Sequence, residues 1–234
     1  MGEKTSPHLS LALIVSTVVV FFLIYQTSYV GIGGLKVNPV YYLAALITVG
    51  LGGVLIKLER SSYPLQQLVM LSLLAVLSSG LRIIFAPIPS VQPSTFLIIM
   101  VAVVFGAEMG GFVGILTPFL SNIFLGQGIH TPFMMAGWGL IGYLAGLLYP
   151  KVKRKEAFLY IYSLFAGYLY GWITNISMLM FYPPTIASII VIYSMSMWFD
   201  TLHSLGNLLF LHFFGGPVKA LLEKKRKRMM VRIL

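Results

Sequence analysis

The chain has 234 residues, 58% of them hydrophobic and only 9% charged, with a formal net charge of +10 and no cysteine. So much apolar sequence excludes a soluble globular domain and leaves no room for a separate catalytic or nucleotide-binding unit. The missing cysteines exclude disulfides, thiolate metal sites and thiol chemistry, and the basic residues gather beside apolar segments, which points to lipid headgroups rather than nucleic acid.

Eight membrane spans are predicted, at about 9–30, 40–57, 64–85, 94–107, 111–126, 132–149, 157–181 and 186–214. The first reads as a retained helix. Lys4 is offset by Glu3, the apolar run is long, and no Ala-x-Ala cleavage signal follows. The fourth and fifth are short for a span of about 20 residues. Their junction, Phe105 to Gly111, reads as a tight turn. An even number of spans with both termini in the cytoplasm places 14 of the 16 basic residues inside, leaving only Lys36 and Arg82 outside. The run Lys224 to Arg228 then anchors the topology against anionic lipid.

The outer connections, 86–95, 126–132 and 181–185, are uncharged and rich in Pro, Gly, Gln and Thr. Proline pre-sets such loops at low entropic cost. Together they suit a lid over an outward-facing pocket.

The last span carries the main polar signal. Asp200 is the only carboxylate between Glu156 and Glu223, and His203, Ser204 and Asn207 follow at i+3, i+4 and i+7. On a helix these four share one face. An acid at bilayer depth costs roughly 2.5–3.5 kcal/mol on insertion scales, so it faces a partner or a wet cavity. Arg82, Gln92, Asn122, Gln127, His130, Trp138 and Asn175 lie near the same side and complete a candidate substrate site, with Ser121 beside Asn122. Amides and imidazoles fix an uncharged or zwitterionic ligand, and aromatics supply stacking area. Each residue has a plainer role open to it. Arg82 either snorkels to the interface or binds an anion. Asp200 and His203 either bind ligand or tie helices together.

Glycines repeat at i+4 in Gly106, Gly110 and Gly114, in Gly142 and Gly146, and in Gly167 and Gly171, the spacing that lets helix backbones approach. Gly137 to Gly142 spells a dinucleotide-binding pattern, but no strand precedes it and it lies in a span, so that reading is rejected. Ser72, Ala75 and Ser79 form a smooth face that either packs internally or docks another membrane protein. No metalloprotease, nucleophile-elbow or Walker motif is present in the sequence, and no metal site or cofactor is expected.

Four features in order then carry a family resemblance. They are Ala75 to Ser79 ending in Leu81-Arg-Ile-Ile-Phe and the loop Pro87 to Pro93, then Gly106 through Ser121-Asn to Gly128, then Thr131 to Gly139, and finally Phe199 to Asn207 before the basic tail. From about residue 64 to 228 the chain resembles the substrate-binding S component of an energy-coupling factor (ECF) vitamin transporter, closest in look to the cobalamin type. The resemblance implies an all-α polytopic bundle. Residues 1–63 supply two extra N-terminal transmembrane helices, 64–218 a six-helix substrate-binding core, and 219–234 a basic cytoplasmic tail. It further implies a small vitamin substrate closed over by outer loops, with 86–95 as the gate. The partners would be a transmembrane scaffold subunit and two ATPases in the cytoplasmic membrane, with Ser72, Ala75 and Ser79 on the scaffold face. The family's usual alanine is replaced at Ser79. Two rival readings stay open: a membrane enzyme using Asp200 and His203 as acid and base, and a secondary transporter with Asp200 as its proton site.

Overall fold

A computed structural model describes residues 31–32, 35–36, 39–59, 63–183 and 185–231; the span expected at 9–30 lies outside these. A two-residue antiparallel ladder pairs β1 (Gly31–Ile32) with β2 (Leu35–Lys36). Seven α-helices follow among the described residues: α1 (Pro39–Glu59), α2 (Leu65–Phe85), α3 (Pro93–Phe105), α4 (Ala107–Leu125), α5 (Thr131–Leu148), α6 (Lys155–Asn175) and α7 (Ile186–Val231). A 3-10 turn, Ile176–Phe181, prolongs α6. Five of the elements, α2 and α4 to α7, are long and apolar enough to cross a membrane. The architecture is an all-α polytopic membrane bundle, as expected.

α3 departs from the eight-span scheme. It has 13 residues, about 20 Å at 1.5 Å per residue, which is short of a hydrocarbon core of about 30 Å. Its sequence is apolar all round, the pattern of an enclosed helix rather than a lipid-facing one. Ile98, Ile99, Met100 and Val101 are fully buried, and α2, α4, α5, α6 and α7 surround it. The chain reverses from α3 to α4 at a single residue, Gly106, with φ of 98°. A side chain would be strained in that conformation, so glycine is required there.

α7 is the second departure. It runs 46 residues without a break through Gly215, Gly216 and Pro217, so the segment expected as a separate tail from 219 continues the helix to Val231. Arg226 donates to the Val104 carbonyl at 2.6 Å and Lys219 to the Tyr149 hydroxyl at 2.9 Å, tying this extension to the ends of α3 and α5.

The glycine repeats act where expected except at Gly106, which forms the α3–α4 break and has nothing within 4 Å of an added Cβ. A Cβ on Gly142 would fall on the Gly110 carbonyl, one on Gly114 on the Trp138 carbonyl, and one on Gly146 on the backbone of Ala107. α4 and α5 therefore meet backbone to backbone. On the other seam, Gly167 makes room for Ser204 and Gly171 for Asp200.

The connections 86–92 and 126–130 and residues 182–183 gather at one end of the bundle, here the proline-rich end. The basic end carries Lys155, Lys219 and Arg226, the Tyr63 hydroxyl bonded to Glu108, and a cavity of about 260 Å³ lined by Tyr63, Gln67, Glu108 and Arg226. α1 docks at the proline-rich end, where Val40 and Leu43 pack with Phe133, Leu179, Met180 and Ile192.

Candidate functional site

Arg82 lies in the last turn of α2. It does not snorkel. It is 7% exposed and turns inward, where Nη1 donates to Ser121 Oγ and to Asn122 Oδ1, both at 2.6 Å. Among the described residues Nη2 faces only the Met134 sulfur at 3.9 Å, and Nε has no partner. Asn122 in turn donates to Thr131 Oγ1 at 2.9 Å, which also accepts from the Gly128 backbone N–H at 3.2 Å. These bonds tie the C-terminal ends of α2 and α4 to the start of α5. The guanidinium stands 5.4 Å from the centre of the Trp138 ring, within cation–π range.

Trp138 joins this group to a second one. Its Nε1–H donates to Thr95 Oγ1 at 2.7 Å, and Thr95 Oγ1 lies 2.7 Å from His203 Nε2. An indole N–H only donates, so the Thr95 oxygen accepts there. The same hydroxyl meets His203 Nε2, in a direction set by the imidazole tautomer. Tyr170 stacks on Trp138 with ring centres 4.4 Å apart and meets the His203 ring edge-on at 5.1 Å. The result is one buried polar and aromatic cluster fed by α2, α3, α4, α5, α6 and α7.

Of the residues expected from sequence, Arg82, Asn122, Trp138 and His203 come together here, with Ser121. Asp200, His203, Ser204 and Asn207 do share one buried face of α7. The acid–base pairing of Asp200 with His203 does not form. Gly171 leaves space on α6 into which the Asp200 carboxylate fits, whereas His203 turns towards α3. Asp200 Oδ2 accepts from Ser196 Oγ at 3.1 Å, and Asn175 donates to the same Ser196 at 2.7 Å. Asn207 bonds the Ser163 carbonyl at 3.3 Å. These residues form a seam between α6 and α7 beside the cluster. Gln92 is half-buried at the N-cap of α3 without a capping bond. Gln127 is exposed and folds back on the Phe119 carbonyl at 2.8 Å. His130 is exposed on the α4–α5 connection; partial burial, and then the charge of Arg82, hold its pKa below the ordinary histidine value.

Thr95, Thr131, Met134 and Tyr170 were not singled out by sequence. Thr95 follows Pro93 and reads as loop, although a Pro followed by Ser-Thr also marks a helix start. Met134 and Tyr170 are apolar or aromatic residues among many, with no distinguishing signal.

The three small residues of α2 do not share one environment. Ser72 is exposed, but Ala75 is fully buried and Ser79 nearly so, its hydroxyl 3.0 Å from the Thr117 carbonyl of α4. At helical spacing Ala75 and Ser79 lie on the α4 side of α2, so their small size serves internal packing. Ala75→Trp is therefore expected to overpack the core and lower the melting temperature of the purified protein, whereas Ser72→Trp leaves it within a degree or two. Equal melting of the two variants would contradict this placement.

A model of the family described as the ECF transporter, substrate-specific component, matches residues 66–229. The chain belongs to that family. The matched region begins in α2 and ends in α7, so it contains every residue of the cluster, while α1 lies outside it. No curated protein and no solved structure matches the chain. As an S component it is a multi-pass membrane protein and a substrate-binding subunit of an ECF importer. Membership implies a small-molecule substrate and scaffold and ATPase partners.

Proposed function

We propose that this S component captures a vitamin or related micronutrient with high affinity in the cluster around Arg82, Asn122, Trp138 and His203. The proline-rich end faces outward in the cytoplasmic membrane, and both termini lie inside. The supporting observation is the cluster itself: charged, amide, hydroxyl and aromatic side chains converge at the one end where the uncharged loops meet. Apolar walls with a few convergent polar groups are what a small-molecule site requires. Closed as it is, the cluster needs its loops to part before a ligand enters. Val91 of the 86–92 connection rests on Gly206 of α7, so that connection serves as the gate. A cobalamin-type substrate is the first candidate, from the likeness of that loop and of Ser121 to Gly128.

The α6–α7 seam holds helices together in this reading, so Asp200 does not contact ligand. Asn122→Ala is expected to weaken binding roughly tenfold or more, since it frees both Arg82 and Thr131, and Asp200→Asn to leave affinity within about twofold. Calorimetry on the substrate-loaded protein separates the two, and equal affinity of wild type and Asn122→Ala would reject the site.

The function is tested by expressing the chain with an ECF scaffold subunit and its two ATPases. Co-purification of all four and ATP-dependent uptake into vesicles are expected. Uptake by this chain alone, collapsed by an uncoupler, would instead establish a secondary transporter. Turnover of a lipid by the purified chain would establish an enzyme.

A further inference from the structure

We propose that the substrate carries an anionic group, a carboxylate or a phosphate, and that this group docks on the Nε–Nη2 edge of Arg82. The inference rests on the cluster being the binding site. Arg82 is 7% exposed, and a buried guanidinium without an anion is costly in a membrane protein. None of the described acids whose contacts are known meets it. Asp200 is held by Ser196 on the α6–α7 seam, Glu223 by Lys219, and Glu108 sits with Tyr63 at the basic end. The C-terminal end of α2 offsets part of the charge through the helix dipole. The remainder has no partner of opposite sign among the contacts of Arg82.

The way the guanidinium is held says which edge is free. Nη1 carries both strong bonds, to Ser121 and Asn122. Those bonds fix its plane and leave Nε and Nη2 side by side. Among the described residues Nε has no acceptor, and Nη2 has only a thioether at 3.9 Å. Two parallel N–H donors on one edge match the two oxygens of a carboxylate or phosphate. Sulfur is a weak acceptor and methionine a flexible side chain. Met134 thus occupies the anion's place and swings aside when the anion arrives. The Trp138 face beneath Arg82 then supports the uncharged part of the ligand.

The test uses the full chain in detergent and matched pairs of probes that differ in the anion: nicotinate and nicotinamide, pantothenate and panthenol, biotin and biotinamide, thiamine monophosphate and thiamine. Thermal stabilisation is read for each, and small molecules retained through purification are identified by mass spectrometry. The expected result is that an acid or phosphate is retained or stabilises the protein, and that its neutral partner is at least tenfold weaker. Which pair responds distinguishes carboxylate from phosphate. Arg82→Lys, which keeps the charge and loses the fork, is expected to weaken the anionic probe roughly 10- to 100-fold and the neutral one by a clearly smaller factor, so that the difference within each pair narrows. Arg82→Gln is read alongside it, with monodisperse elution as the check on folding. A retained molecule without an anionic group, equal binding within the pairs, or an Arg82→Lys protein with wild-type affinity would overturn the proposal. A wild-type protein that retains nothing and responds to no anionic probe would overturn it too. Co-purification with the ATPases is independent of all these outcomes, so the S-component reading stands or falls separately.

Discussion

Gly142→Ala is expected to abolish the folded protein or cut its yield severely. The added Cβ would fall on the carbonyl carbon and oxygen of Gly110 and close to Ile98. Ile98 is a side chain that can shift, but Gly110 is backbone in the facing helix. Relief therefore requires α4 and α5 to separate along the seam that Gly114 and Gly146 also hold closed. Overpacking a core costs about 1–3 kcal/mol where side chains can yield, and here they cannot, so the upper end or beyond applies. The seam also positions Trp138, whose own carbonyl is the atom facing Gly114. The control is Gly80→Ala in α2, where nothing lies within 4 Å of the added methyl. That change is expected to be neutral or to stabilise by up to about 1 kcal/mol through helix propensity. Size-exclusion profiles and melting curves of the two variants decide it. Similar behaviour would mean that the α4–α5 approach is looser than described.

The contrast between those two glycines marks what sequence exposes. Apart from Gly106, which ends α3 with open space around it, the i+4 repeats mark the packing glycines, 110, 114, 142, 146, 167 and 171, and leave out Gly80, because helix contacts recur with helix periodicity. Periodicity also places the polar face of α7 inward. It does not say which neighbour each residue meets. Asp200 and His203 are three residues apart on one face, yet one faces α6 and the other α3, because the space opposite each is set by a different helix. The length of α3 likewise followed from its 13 residues, but its enclosure depends on five surrounding helices that no local pattern encodes. Thr95 and Met134 show the remaining gap. A threonine after a proline and a methionine in an apolar run have ordinary local explanations, and only tertiary contact gives them a place beside Arg82 and Trp138.

The same reasoning applies to α1, which lies outside the family match. Val40 is fully buried at the proline-rich end with Phe133, the residue before Met134. Burying a charge there without a partner is costly. Val40→Asp is therefore expected to detach α1 and loosen the start of α5, lowering ligand affinity with little change in the rest of the bundle. Unchanged affinity and melting in that variant would assign α1 no part in holding the site.

Thr95→Val should damage the site more than its size suggests. The two side chains have nearly the same shape, so no cavity forms, but the hydroxyl is the joint between Trp138 and His203. Its loss leaves an indole N–H and an imidazole nitrogen buried without partners. Each such group costs about 1–3 kcal/mol, so a destabilisation of roughly 2–6 kcal/mol is expected if the two add. The functional consequence follows from position. Trp138 is fully buried and lies between Arg82 and Tyr170, so a ring released from Thr95 no longer holds its face under the guanidinium. Ligand affinity then falls along with stability. Thr95→Ser keeps the oxygen and is expected to restore most of both, at the cost of one methyl group. Melting curves together with calorimetry on the three proteins test this. If Val and Ser variants behave alike, the hydrogen bonds through Thr95 contribute nothing, and the two halves of the cluster are held by packing alone.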